Sequence, residues 1–241
     1  NVLISDDGIR GVVINLKRCA AQIERKSENI VQAGAGNSLI DVVTFMEEQE
    51  IGGMENMAGI PGTIGGALIM NAGAFGTEIS DLVQWVEVLN ENYEREQLKP
   101  EEIQFGYRQA PGLKNKIVLT VLLKGEKQAG IKEELKIKRE EQIRKRQEKQ
   151  PLEYGSCGSV FKRPPDNYAG ALIEEAGLKG FRVGHAKVSE KHANFIVNLG
   201  NAASVDIFLL IRFIQKTVQK KTGIVLEPEV KFIGAFPKIE L

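Results

Sequence analysis

Cysteine and histidine are the scarcest reactive residues in this chain of 241, with two of each. Cys19 and Cys157 lie far apart, which excludes a disulfide scaffold and a closely spaced metal-ligand pair and suits a reducing, cytoplasmic compartment. His185 and His192 leave few candidate bases for a serine–histidine–acid triad. An excess of one charge is also missing: 32 Lys+Arg balance 32 Asp+Glu, so no overall field draws the chain to nucleic acid or to an anionic membrane. A long uncharged run does occur at 56–77, NMAGIPGTIGGALIMNAGAFGT. Its glycines, Pro61, Asn56 and Asn71 make it a poor spanning helix, and it reads as a buried or ligand-facing segment.

The rest is ordinary for one large or two modest globular domains. GVVINL (11–16) reads as a strand, and CAAQIER (19–25) with NIVQAGAG (29–36) as a pair joined by a polar turn. Ser38 followed by Asp41 predicts a helix start, with Leu39, Val42, Val43 and Met46 on its apolar face. LVQWVEVLN, REQLKP and KIVLTVLLKG predict three more strands. Residues 126–150 predict a solvated helix with paired opposite charges, closed by Pro151. Beyond it, 168–176 predicts a short helix, FRVGHAKVS and NFIVNLG strands, and 204–222 an amphipathic helix stopped by Gly223. IVLEPEVKFIGAF predicts a final strand. Irregular alternation with frequent hairpins gives an α+β fold class.

Five places carry possible chemistry. Glycines 59, 62, 65, 66, 73 and 76 form either a loop with tight turns or a cradle whose N–H groups approach a phosphate or cofactor; neither a dinucleotide fingerprint nor a P-loop is present. Arg108, beside Tyr107, is a carboxylate or diphosphate clamp or a surface ion-pair residue. Cys157 is a thiolate nucleophile or a small packed residue. In GSCGS the hydrolase elbow is absent, so Ser159 is a turn residue or an accessible hydroxyl. Glu227 and Glu229, two apart on a strand, share one face, which is solvated or catalytic.

The order of these motifs is more specific than any one of them. ENMAGIPGTIGGALIMNAGAFG, FGYR, GSCGSVFKRP, AGALIEEAGLKGFRVGHAKVSEKHANFIVN and LEPEVKFIG together resemble the UDP-N-acetylenolpyruvoylglucosamine reductases, over essentially the whole chain. The resemblance implies an FAD-binding region of the vanillyl-alcohol-oxidase type and a smaller α+β substrate-binding domain. It assigns 1–150 to the FAD region, 151–222 to the substrate domain and 223–241 to a return segment. The compact run from Lys149 to Asn198 is similar to the family type without a tyrosine loop. Asn1-Val2-Leu3 resembles the end of a glycine-rich turn on the flavin diphosphate, which implies that further residues precede it.

The same resemblance implies a cytoplasmic monomer of peptidoglycan synthesis that reduces UDP-N-acetylglucosamine enolpyruvate to UDP-N-acetylmuramate, with FAD as cofactor, NADPH as co-substrate, and neither nucleic acid nor membrane as partner. Hydride passes from FAD N5 to C3 of the vinyl ether, and charge builds at C2 and its carboxylate. By motif, Arg108 and Glu229 stabilise that charge, and Glu229 is then protonated or shares a proton, with Glu227 as the fallback. Ser159 matches the proton donor to C2. Tyr107, Arg108, Lys149, Arg163 and His192 match substrate contacts. Pro61, Gly62, Thr63, Gly65, Gly66, Asn71, Gly73, Ala74 and Asn1 match cofactor contacts. His185 stands where a small residue is expected. Three other classes compete: a flavin oxidoreductase on another substrate, a non-catalytic sugar-nucleotide binder and a serine hydrolase.

Overall fold

Ser38 Oγ accepts the Asp41 N–H at 3.2 Å and starts the helix Leu39–Glu48, whose buried face is Leu39, Val42, Val43 and Met46, as its spacing predicts. The computed structural model describes residues 1–241 apart from Cys19, Gln128 and 239–241. Two compact units emerge, Ile14–Arg146, and Asn1–Val13 with Gln147–Leu241.

In the first unit a five-stranded antiparallel sheet runs in the order Ile23–Arg25, Ile30–Gly34, Ile117–Lys124, Val83–Leu89, Arg95–Leu98. Val31, Ala33, Val86, Val121 and Leu123 cover one core with the capped helix and with Ile64 and Leu68. The hairpin of its first two strands follows the predicted pairing. Cys19, at the start of the strand predicted over 19–25, lies outside the described residues.

The second unit holds a four-stranded antiparallel sheet, in the order Gly155–Ser159, Phe195–Asn198, Ala186–Val188, Arg182–Val183. Helices Ala169–Glu175 and Ser204–Thr222 pack in its core with Leu3, Phe161, Leu226 and Val230. Gly223, at φ 76°, ends the long helix in the left-handed conformation that glycine adopts most cheaply. Val2–Ile4 pairs in parallel with Lys231–Ile233, which brings both ends of the chain into this unit. These units are grouped by packing and the expected regions by ligand, so they need not share boundaries. The α+β fold class holds for both.

Several expected elements differ. No strand forms at 11–16 among the described residues; Val12, Val13 and Ile14 are exposed, and apolar content without a pairing partner makes no sheet. The charged helix Lys132–Lys149 is not solvated all round. Leu135, Gln142 and Arg146 form a buried face, and Arg139 Nε donates to buried Glu47 at 2.7 Å. The final strand spans only Lys231–Ile233, so Glu227 and Glu229 precede it and share no strand face. The glycine-rich segment contains a helix, Ile64–Ile69, capped by Thr63. Among the described residues, no helix is long and apolar enough to cross a membrane.

Candidate functional site

The glycine-rich segment divides into packed and open positions. Leu39 N–H donates to Gly62 O, Ile64 N–H to Asn37 O and Gly65 N–H to Ala35 O, which ties the segment to the neighbouring loop. A Cβ on Gly65 would stand 3.1 Å from Ala35 Cβ, so the missing side chain there serves close packing. A Cβ on Gly73 would stand 2.7 Å from Thr77 O, within the small hairpin Gly73–Ala74 and Thr77–Glu78. Gly62 is different: it is exposed, at φ 143°, with no atom within 4 Å of a Cβ position. Pro61 and Gly66 are exposed beside it, and Thr63 Oγ1 accepts the Gly66 N–H. The open face of the segment is therefore Pro61, Gly62, Thr63 and Gly66, and it is poor in side chains.

Arg108 sits at the tip of a four-residue turn, at φ 56°. The turn is closed by reciprocal bonds, Gly106 N–H to Gln109 O at 3.0 Å and Gln109 N–H to Gly106 O at 3.1 Å. The guanidinium donates to Asn71 O and to Gly73 O, at 3.4 and 3.1 Å, and its Cζ lies 5.1 Å from the centroid of the Tyr107 ring. Tyr107 is 47% exposed. Asn71 is buried, and its side chain is committed to internal bonds rather than to the surface.

In the other unit, GSCGS is a strand and not a turn. Gly155–Ser159 pairs with Phe195–Asn198, and the register shifts between Ser156 and Ser159. Gly158 lies inside that irregularity at φ 75°, which accounts for the glycine. Ser159 is half-buried. Its neighbour Val160 accepts the Glu229 N–H at 2.8 Å, so the backbone holds positions 159 and 229 close together. Glu229 is only 8% exposed, and Asn1 Nδ2 donates to its Oε1 at 2.7 Å. Glu227 is exposed and binds Lys162 Nζ. The two glutamates thus have opposite surroundings. Cys157 Sγ–H donates to Val2 O, and burial pushes the thiol pKa up, which disfavours the nucleophilic thiolate.

Asn194, which the sequence left unassigned, fixes the segment after Ser159. Its side chain accepts the Phe161 N–H and donates to the Phe161 C=O, at 3.0 and 2.9 Å, while its carbonyl accepts the Val160 N–H. The Asn194 N–H in turn donates to His192 Nδ1. His192 is half-buried, its ring edge-on to Phe195, and burial pushes its pKa below the ordinary 6.5. Arg163 is exposed, with its guanidinium 4.1 Å from the Tyr168 ring centroid. Lys149 is exposed at the last position of its helix. His185 occupies an exposed turn, where its size is tolerated.

The structure brings Ser159, Glu229 and Asn1 together in one unit, and Arg108, Tyr107, Asn71 and Gly73 together in the other. Arg146 went unnoticed in a run of charges. Its Nε donates to Ala58 O, its guanidinium lies over Phe75, and its Nη2 is buried with no hydrogen-bond partner among the described residues. Among the described residues no group of three or more His, Cys, Asp or Glu could hold a metal ion.

Known proteins match this arrangement at the level of sequence and fold. Residues 1–95 match the family model described as an FAD binding domain. Residues 150–233 match that of the UDP-N-acetylenolpyruvoylglucosamine reductase C-terminal domain. The reductase of that name from Caldanaerobacter subterraneus subsp. tengcongensis is 49% identical, over 97% of this chain and 76% of its own length. The one from Listeria welshimeri is 47% identical, over 97% and 78%. The crystal structure of the Thermus caldophilus reductase superposes with a TM-score of 0.75 at 39% identity, covering 84% of this chain and 72% of its own. The chain is an FAD-dependent oxidoreductase and belongs to the UDP-N-acetylenolpyruvoylglucosamine reductase family.

Proposed function

We propose that this protein reduces the enolpyruvyl ether of UDP-N-acetylglucosamine enolpyruvate to the lactyl ether of UDP-N-acetylmuramate, a step of peptidoglycan synthesis. The observation that carries the proposal is the backbone bond from Glu229 N–H to Val160 O, which ties a buried, hydrogen-bonded glutamate to the residue that follows half-buried Ser159. Addition of hydride and of a proton to a polarised double bond needs an acid at one carbon and charge stabilisation beside it. A hydrolase would need a base, and His192 instead spends its Nδ1 on the Asn194 N–H.

The open, side-chain-poor face at Pro61, Gly62, Thr63 and Gly66 fits FAD, because a flat or phosphorylated group approaches backbone most closely where no Cβ intervenes. Gly65, Gly73, Ala74 and Asn71 support that segment, and Asn1 belongs to the same assignment. The cofactor, when bound, supplies hydride at C3 and is recharged by NADPH. Arg108 and Glu229 hold the negative charge that develops at C2 and its carboxylate. The Ser159 hydroxyl then gives its proton to C2. Tyr107, Lys149, Arg163 and His192 bind the UDP-sugar.

The test is a titration. FAD is added to the protein while its visible band is followed, and the enolpyruvyl UDP-sugar is then added. Saturable flavin binding with a further spectral change on adding the sugar supports the proposal. Saturable flavin binding with no response to the sugar, and turnover of some other acceptor by the NADPH-reduced protein, would overturn the substrate assignment.

A further inference from the structure

Asn71 is almost fully buried, 1% exposed, and polar. It also has φ 40°, a left-handed conformation uncommon for a residue with a side chain. Glycine would meet that backbone requirement more cheaply. What asparagine adds is its amide. Nδ2 donates to Glu78 Oε2 at 2.7 Å and to Gly106 O at 3.2 Å, and Oδ1 accepts the Ser80 N–H at 3.3 Å. Gly106 O is the acceptor that closes the base of the Arg108 turn. At the far end of that turn, the Arg108 guanidinium donates to the main-chain carbonyl of the same Asn71 and to that of Gly73. One residue therefore grips the turn twice, by its side chain at the base and by its carbonyl at the tip.

We infer that Asn71 is a positioning residue for Arg108. The inference rests on the proposal that Arg108 stabilises the developing charge. The turn tip has φ 56° at Arg108, a conformation that a side-chain-bearing residue holds only where its surroundings enforce it. Two carbonyl acceptors fix the planar fork, and the Asn71 amide fixes the loop beneath it. A guanidinium so held needs little reorganisation when charge appears before it. Asn71 acts through Arg108 and not on substrate or flavin.

The test uses Asn71→Gly, which keeps the positive φ and removes only the amide. In cofactor-free protein, phenylglyoxal labelling of Arg108, followed by peptide mass, is expected to run about three- to ten-fold faster than in the parent, the worth of one lost hydrogen bond. An unchanged labelling rate overturns the inference. In FAD-loaded protein, reoxidation by the enolpyruvyl UDP-sugar is expected to slow by a similar factor. Adding Asn71→Gly to Arg108→Ala is expected to cost nothing further, and additive losses overturn the inference. If Arg108→Ala by itself leaves reoxidation unchanged, the role of Arg108 fails, whereas the labelling result still decides whether Asn71 positions it. Asn71→Ser repeats both measurements should the glycine variant melt far below the parent.

Discussion

The Asn1 side-chain amide donates to Glu229 Oε1 at 2.7 Å, across 228 positions of sequence. Glu229 is buried, and its N–H is spent on Val160 O. Removing the Asn1 donor leaves a buried carboxyl short of a partner. Asn1→Ala is expected to lower turnover about three- to ten-fold, from the loss of one hydrogen bond. Steady-state rates at saturating NADPH and sugar check this. An unchanged rate would mean that Glu229 is oriented by its backbone and other contacts alone.

Ser159→Ala is expected to slow product formation about 10²- to 10⁴-fold, the usual worth of a positioned proton donor. Flavin reduction by NADPH is expected to stay near normal, because the hydroxyl takes no part in that half-reaction. Stopped-flow absorbance separates the two steps. Loss of both together would show that the bulged strand, and not the hydroxyl, was damaged.

Burial holds the His192 pKa below 6.5, so the folded state takes up a proton less readily than the unfolded chain. Its contribution to stability is complete above the ordinary value and is lost as pH falls through the folded value. Denaturant midpoints at about pH 7.5 and about pH 5 should therefore differ, with the acid value lower. His192→Gln is expected to narrow that difference. An equal difference in both proteins would assign the effect to other groups.

Asn194 supplies both partners of the Phe161 peptide groups, in a buried setting. Asn194→Ala leaves an N–H and a C=O unpaired, and is expected to cost about 2 kcal/mol. Equilibrium unfolding in urea measures this. A loss below about 0.5 kcal/mol would place water in the vacated space as a replacement partner.

Local signals were legible and distant ones were not. The spacing of Leu210, Ile211, Ile214 and Val218, with Gly223 behind them, predicts the long helix to the residue. Ser38 and Asp41 mark a helix start because the cap bond spans three residues. The glutamates of LEPEV read alike because side chains two apart share a face along a strand. Pro228 meets only an isolated bridge to Phe161, the strand begins later, and Glu227 turns to Lys162 while Glu229 is buried. Nothing local announces Asn1 beside Glu229, Asn194 around Phe161 or Asn71 beneath Arg108. Each pairing joins residues that meet only in the folded chain. The motif order named the family, but each residue's surroundings came from packing.

The parallel pairing of Val2–Ile4 with Lys231–Ile233 bears on how the chain is made. On a ribosome Val2–Ile4 emerges before the whole of Ile14–Arg146 and waits for a partner that lies beyond it. Ile14–Arg146 is meanwhile delivered whole, with every strand of its five-stranded sheet in hand. That unit is thus able to fold during translation before Lys231–Ile233 exists, whereas the unit carrying Ser159 and Glu229 can close only once that strand has been made. A pause between the two would leave the five-stranded sheet formed and the Val2–Ile4 pairing unmade.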